Sequence, residues 1–76
     1  MKRNRSIWRD GINPDGVEIR IAWDEMRITS SVFIPCVNTE EARAQAARHM
    51  LARGWKFHAQ PLVENNKWGL RIWRTA

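Results

Sequence analysis

The chain has 76 residues, which allows one domain around one modest hydrophobic core, and its 43% hydrophobic and 28% charged composition excludes an intrinsically disordered polymer. Thirteen Lys and Arg against eight Asp and Glu give a net charge of +5, and ten of those thirteen are Arg, so the chain attracts polyanions: nucleic acid, an acidic protein, or the general anionic background of a cell. The single Cys36 excludes an intramolecular disulfide, and no stretch approaches the roughly 20 apolar residues that cross a bilayer, so a soluble cytoplasmic protein without membrane contact is expected.

Residues 1–12 open on Lys2, Arg3, Arg5 and Arg9 among polar neighbours, which reads as a loose basic arm, with Ile7 to Ile12 either a short edge strand or a loop. Residues 13–76 then form a single α+β domain. Asn13-Pro14-Asp15-Gly16 places Pro and Gly where a type I turn wants them. From Val17 to Trp23 the pattern alternates, with Val17, Ile19, Ile21 and Trp23 on one side, and Met26 to Ile34 alternates again. A hairpin with Asp24-Glu25 as its loop would set Trp23 opposite Met26, Ile21 opposite Ile28 and Val17 opposite Val32, with Ile19 opposite Ser30 the one mismatch.

The next segment predicts a helix. Asn38 and Glu41 have the spacing of a capping box, Ala-rich sequence runs to Arg53, and Gly54-Trp55 fits a Schellman ending with Trp55 folded back on Met50. Its buried stripe would be Ala42, Ala46, Ala47, Met50 and Leu51, with Arg43 inside the stripe and reaching to solvent or to Glu40.

Trp55 to Val63 and Trp68 to Arg74 predict a second hairpin around Asn65-Asn66, residues that tolerate positive φ. In that register Val63 faces Trp68, Pro61 faces Leu70 and Ala59 faces Ile72 on one side. Glu64 faces Lys67, Gln60 faces Arg71, His58 faces Trp73 and Lys56 faces Thr75 on the other. Pro61 cannot donate to a ladder, which places its strand at an edge or a bulge.

The order β-β-α-β-β predicts a four-stranded antiparallel sheet with one helix packed on one face. The other face would carry Glu18, Arg20, Arg27, Thr29, Ser31, Phe33, Lys56, His58, Gln60, Arg71 and Trp73. Arg20, Arg27, Phe33, Lys56, His58, Arg71 and Trp73 are the candidate binding residues, with Lys2, Arg3, Arg5 and Arg9 as an accessory basic arm. Trp8, Trp55, Trp68 and Trp73 each adjoin a Lys or Arg, a pairing that suits bases and phosphates together. Trp23, Trp55 and Trp68 are expected in the core and Trp73 on the open face. Three readings of this face stand: binding of nucleic acid or a nucleoprotein complex, binding of an acidic protein or a second copy of the chain, and a merely solvated surface.

No RRM, zinc-finger or KH signature is present. His49, His58 and Cys36 are too few and too scattered for a metal site, Ser30-Ser31 lacks a base, and the four glycines form no phosphate loop, so neither an enzyme nor a cofactor is expected.

A small Arg-rich chain with one helix on an antiparallel sheet, ending in the hairpin Trp55 to Arg74 and lacking a catalytic set, resembles the stand-alone products of phages and mobile elements. In size and element order it is similar to some anti-CRISPR proteins. That resemblance implies an inhibitor in the host cytoplasm whose open face and helix Arg residues clamp a protein surface or the crRNA backbone of a surveillance complex. It also resembles the small sheet-plus-helix DNA-binding domains of tyrosine integrases, which implies a sheet face laid in a major groove.

Overall fold

A computed structural model describes residues 11–76. Lys2, Arg3, Arg5, Trp8 and Arg9, and with them most of the expected basic arm, lie outside the described residues. The elements are β1 (Gly11–Ile12), β2 (Ile19–Arg20), a 3-10 turn (Trp23–Glu25), β3 (Ser31–Pro35), α1 (Thr39–Ala52), β4 (Phe57–Glu64) and β5 (Lys67–Arg74). They form an α+β fold with two sheets: a two-stranded ribbon β1-β2, and a three-stranded antiparallel sheet in the order β3-β5-β4.

The C-terminal hairpin has the register that its turn dictates. Asn65 and Asn66 both take positive φ, 52° and 63°, as a two-residue I′ turn requires, and this pairs Glu64 with Lys67, Gln60 with Arg71 and His58 with Trp73. Central β5 then alternates: Leu70 and Ile72 are buried beneath the helix, while Arg71 and Trp73 face away from it. β3 adds to its other side, pairing Ser31 with Trp73, Phe33 with Arg71 and Pro35 with Gly69.

The expected four-stranded sheet is not formed, because the N-terminal hairpin is not formed. Trp23 to Glu25 winds into a 3-10 turn, closed by the Met26 amide donating to the Trp23 carbonyl at 3.0 Å. Thr29 takes φ 77°, and the Ser30 amide turns back to the Arg27 carbonyl at 2.9 Å, so residues 26–30 cannot run as a strand. Ile19 and Arg20 pair instead with Ile12 and Gly11. Two preferences outweigh the alternation: Asp24-Glu25 is a poor primed turn, and Trp23 gains more by sinking to 1% exposure and stacking on His49 at 4.8 Å. Val17 and Ile28, expected inward, are consequently 71% and 54% exposed.

The helix begins at an Asn38 cap whose side chain accepts from the Glu41 amide at 3.1 Å. The reciprocal arm of the expected capping box is supplied from elsewhere. Asp15, in the turn closed by the Gly16 amide on the Asn13 carbonyl, accepts the Asn38 amide at 2.9 Å and the Val37 amide at 2.8 Å. Glu41 instead accepts from Gln45. At the other end Gly54 takes φ 75°, and the Trp55 amide donates to Met50 and the Gly54 amide to Leu51, which is the Schellman pattern.

Ala42, Ala46 and Met50 are fully buried, and the small alanines let the helix sit close to Ile34, Leu70 and Ile72. Leu51, expected in this stripe, is exposed. Arg43 reaches the Ala59 carbonyl on β4 rather than Glu40. A second helix face carries Gln45, His49 and Arg53 at four-residue spacing. Gln45 accepts from the Asn13 amide, His49 meets the Gly11 carbonyl and Arg53 pairs with Asp24 at 2.7 Å, which docks the N-terminal ribbon beside the helix. Ile12, Ile21, Trp23 and Met26 complete the core from there, and among the described residues nothing covers the opposite face of the three-stranded sheet.

Candidate functional site

On that uncovered face β3 presents Ser31 and Phe33, β5 presents Lys67, Arg71 and Trp73, and β4 presents His58, Gln60 and Glu64. The strand alternation that buries Ile34, Leu70 and Ile72 forces these residues outward. Two cross-strand pairs carry rings. His58 lies against Trp73 with centroids 5.4 Å apart and planes tilted by 31°, and the Arg71 guanidinium stands 5.7 Å from the centre of Phe33. Both Phe33 and Trp73 are half-buried, so each keeps ring surface open to solvent.

Gly69 makes this arrangement fit. Between Lys67 and Arg71 it is the one residue of β5 on this face, and a Cβ there would lie 2.7 Å from Phe33 Cζ and closer still to the Ile34 carbonyl oxygen. The absent side chain lets Phe33 lean across β5. Arg71 donates through Nε to Glu64 Oε2, through Nη2 to Oε1 at 2.6 Å, and through Nη1 to Ser31 Oγ at 2.6 Å. Three of its five N–H donors are thereby fixed and two remain. The hydrogen bonds from Arg71 hold the Glu64 carboxyl below its ordinary range, and the same bonds raise Arg71 further, so both stay charged and mutually neutralised at neutral pH.

The structure brings together Phe33, His58, Arg71 and Trp73 of the expected set, with Lys56 exposed at the start of β4, where its carbonyl accepts from the Thr75 amide. Arg20 and Arg27 are not part of this face. Arg20 stands exposed on β2 of the separate ribbon, and Arg27 lies in the turn segment before β3, because the hairpin that was to align them with Arg71 does not exist. Glu18 and Thr29 leave the face for the same reason. Glu64 was missed as a site residue, although its parity with His58 and Gln60 places it in their row.

The other tryptophans have different settings. Trp55 packs on the core, with the Arg74 guanidinium 3.7 Å and that of Arg53 5.7 Å from its ring centre. Trp68, expected in the core, is 47% exposed with its cross-strand partner Val63, because the hairpin tip extends beyond the helix cover. Among the described residues no group of three or more His, Cys, Asp or Glu is placed to hold a metal ion, and no helix is long and apolar enough to cross a membrane.

Both edges of the sheet carry a proline. The Cys36 amide donates to Trp68 and the Arg74 amide to Ser30, so the even-numbered residues of β3 bond to β5 and Pro35 faces outward. By the same alternation, fixed by the Lys56 carbonyl accepting from Thr75, Pro61 faces outward on β4. Each missing N–H falls on the free edge, where it costs no ladder bond and discourages a further strand.

Comparison of the chain with protein-family models, curated proteins and solved structures gives no match.

Proposed function

We propose that this chain is a non-enzymatic binding module that engages nucleic acid, alone or within a nucleoprotein complex, through the uncovered face of its three-stranded sheet. The observation that carries this reading is the cluster of Phe33, Trp73 and His58 with the fixed Arg71, with Lys67 on β5 and Lys56 just before β4, in a chain of net charge +5. Rings left partly open on a solvated face lose free energy to water unless something flat covers them, and bases are flat and accompanied by anionic phosphates. Outward prolines on both edges support engagement through the face rather than by strand addition. The resemblance to anti-CRISPR proteins names one nucleoprotein class to try, an RNA-guided surveillance complex.

The test is fluorescence anisotropy with labelled DNA and RNA, single-stranded and duplex, across salt. Binding at about 50 mM salt that weakens steeply toward about 200 mM supports the reading, and loss of Lys56 and Lys67 to alanine should flatten the log–log slope by roughly one unit per phosphate contact removed. No shift with any nucleic acid at about 50 mM salt sinks it. A protein partner or a second copy is the competing reading, and the exposed Trp68 and Val63 at the hairpin tip favour it at that different place. Sedimentation at high protein concentration, and its response to Trp68→Ala, separates that reading from the first.

A further inference from the structure

We infer that the preferred ligand of the uncovered face is a single strand, whose bases stack on Phe33 and on Trp73, and that duplex is bound less well. This inference rests on the proposed function and narrows it.

The first argument is charge. A face that grips a duplex must bracket two phosphate backbones with several unpaired cations. Here Arg71 is already neutralised by Glu64 through two hydrogen bonds, and Arg20 and Arg27 stand elsewhere, which among the described residues leaves Lys56 and Lys67. The Arg71–Glu64 pair as a whole carries no net charge, so it offers a phosphate laid over it little attraction. The carboxylate is tolerable next to a base, whose N–H groups it can meet.

Ring placement is the second argument. Phe33 is paired with Arg71, and Trp73 with Ser31, so the two rings sit diagonally on adjacent strands, roughly 7–8 Å apart at their backbones. Two platforms at that separation suit neighbouring bases that have been unstacked and splayed along an extended strand. Paired bases in a duplex offer only their edges, and inserting a ring costs a few kcal/mol of unstacking per step. A single strand offers its faces with little such cost.

The fixed guanidinium supplies the third. Glu64 and Ser31 hold Arg71 in one orientation beside Phe33, with two N–H donors unspent. A donor pair fixed in advance beside the Phe33 ring meets carbonyl and ring-nitrogen acceptors on a base edge without further ordering cost. His58, against Trp73, extends that platform toward β4.

The experiment compares a labelled strand of about 12 nucleotides with the same sequence as duplex, for the full chain and for Phe33→Leu and Trp73→Leu, which keep apolar bulk and remove the flat ring. The expected result is a single strand bound about tenfold or more tighter than duplex, with each substitution weakening single-strand binding by about fivefold or more and so narrowing that preference. Should either substitution disturb the fold by circular dichroism, photocrosslinking of the unaltered protein to a strand carrying a thio-substituted base decides instead. Adducts at Phe33, His58 or Trp73 support the inference, and adducts confined to other segments overturn it. Duplex bound as tightly as single strand overturns the inference while the proposed function stands. Absence of binding to every nucleic acid removes both.

Discussion

Replacing Asp15 by alanine should destabilise the helix from a position 23 residues before its cap. The carboxylate accepts the Val37 amide at 2.8 Å and the Asn38 amide at 2.9 Å, and it sits at the positive end of the helix dipole. This corner is exposed, so the freed amides rehydrate and each bond is worth about 1 kcal/mol, the figure for an ordinary hydrogen bond rather than the higher one for a charged group. The sum is about 2 kcal/mol out of a total stability of roughly 4–11 kcal/mol for a chain of this length. It corresponds to a fall in Tm of roughly 8–16 °C. Asp15→Asn keeps one acceptor oxygen and loses the charge, so it should cost about half as much. Urea unfolding followed by far-ultraviolet circular dichroism measures both, with an unchanged m-value confirming that the native fold is retained. A cost below about 0.5 kcal/mol for Asp15→Ala would refute the reasoning. So would equal costs for the two substitutions, since the ordering tests the bonds themselves.

Gly69→Ala should cost about 1–3 kcal/mol, because its Cβ would press on backbone atoms of β3 as well as on Phe33, and a neutral result would show that β3 yields freely. Glu64 has its carboxyl held below the ordinary 4.5 by hydrogen bonds from Arg71, so its contribution is fully present above that ordinary value and is lost as pH falls through the lowered one. The stability difference between the unaltered protein and Glu64→Gln should therefore shrink in acid, and a difference independent of pH would contradict the pairing. The Cys36 thiol is pushed above its ordinary 9.0, first by burial and then by the negative charge of Asp15, so a thiol reagent should react slowly with native protein at neutral pH and rapidly in urea. Rapid native labelling would place Cys36 outside the core.

The sequence by itself determined the elements whose rules are local. Asn65-Asn66 fixed the turn of the C-terminal hairpin and with it every cross-strand pair from His58–Trp73 to Glu64–Lys67. Asn38 and Gly54 fixed the ends of the helix, and strand parity put Phe33, His58, Arg71 and Trp73 on one surface. Tertiary structure decided what depended on competition between distant partners. The alternation of Val17 to Ile34 was compatible with a hairpin, but burying Trp23 against His49 and pairing Asp24 with Arg53 favoured a 3-10 turn, which moved Arg20 and Arg27 off the uncovered sheet face. The same competition let Asp15 displace Glu41 in capping the helix and let Gly69 open the space that Phe33 leans into. Local pattern specifies which way a side chain points along its own strand. Which strands become neighbours is settled by the burial of large side chains and the satisfaction of polar groups far apart in the chain.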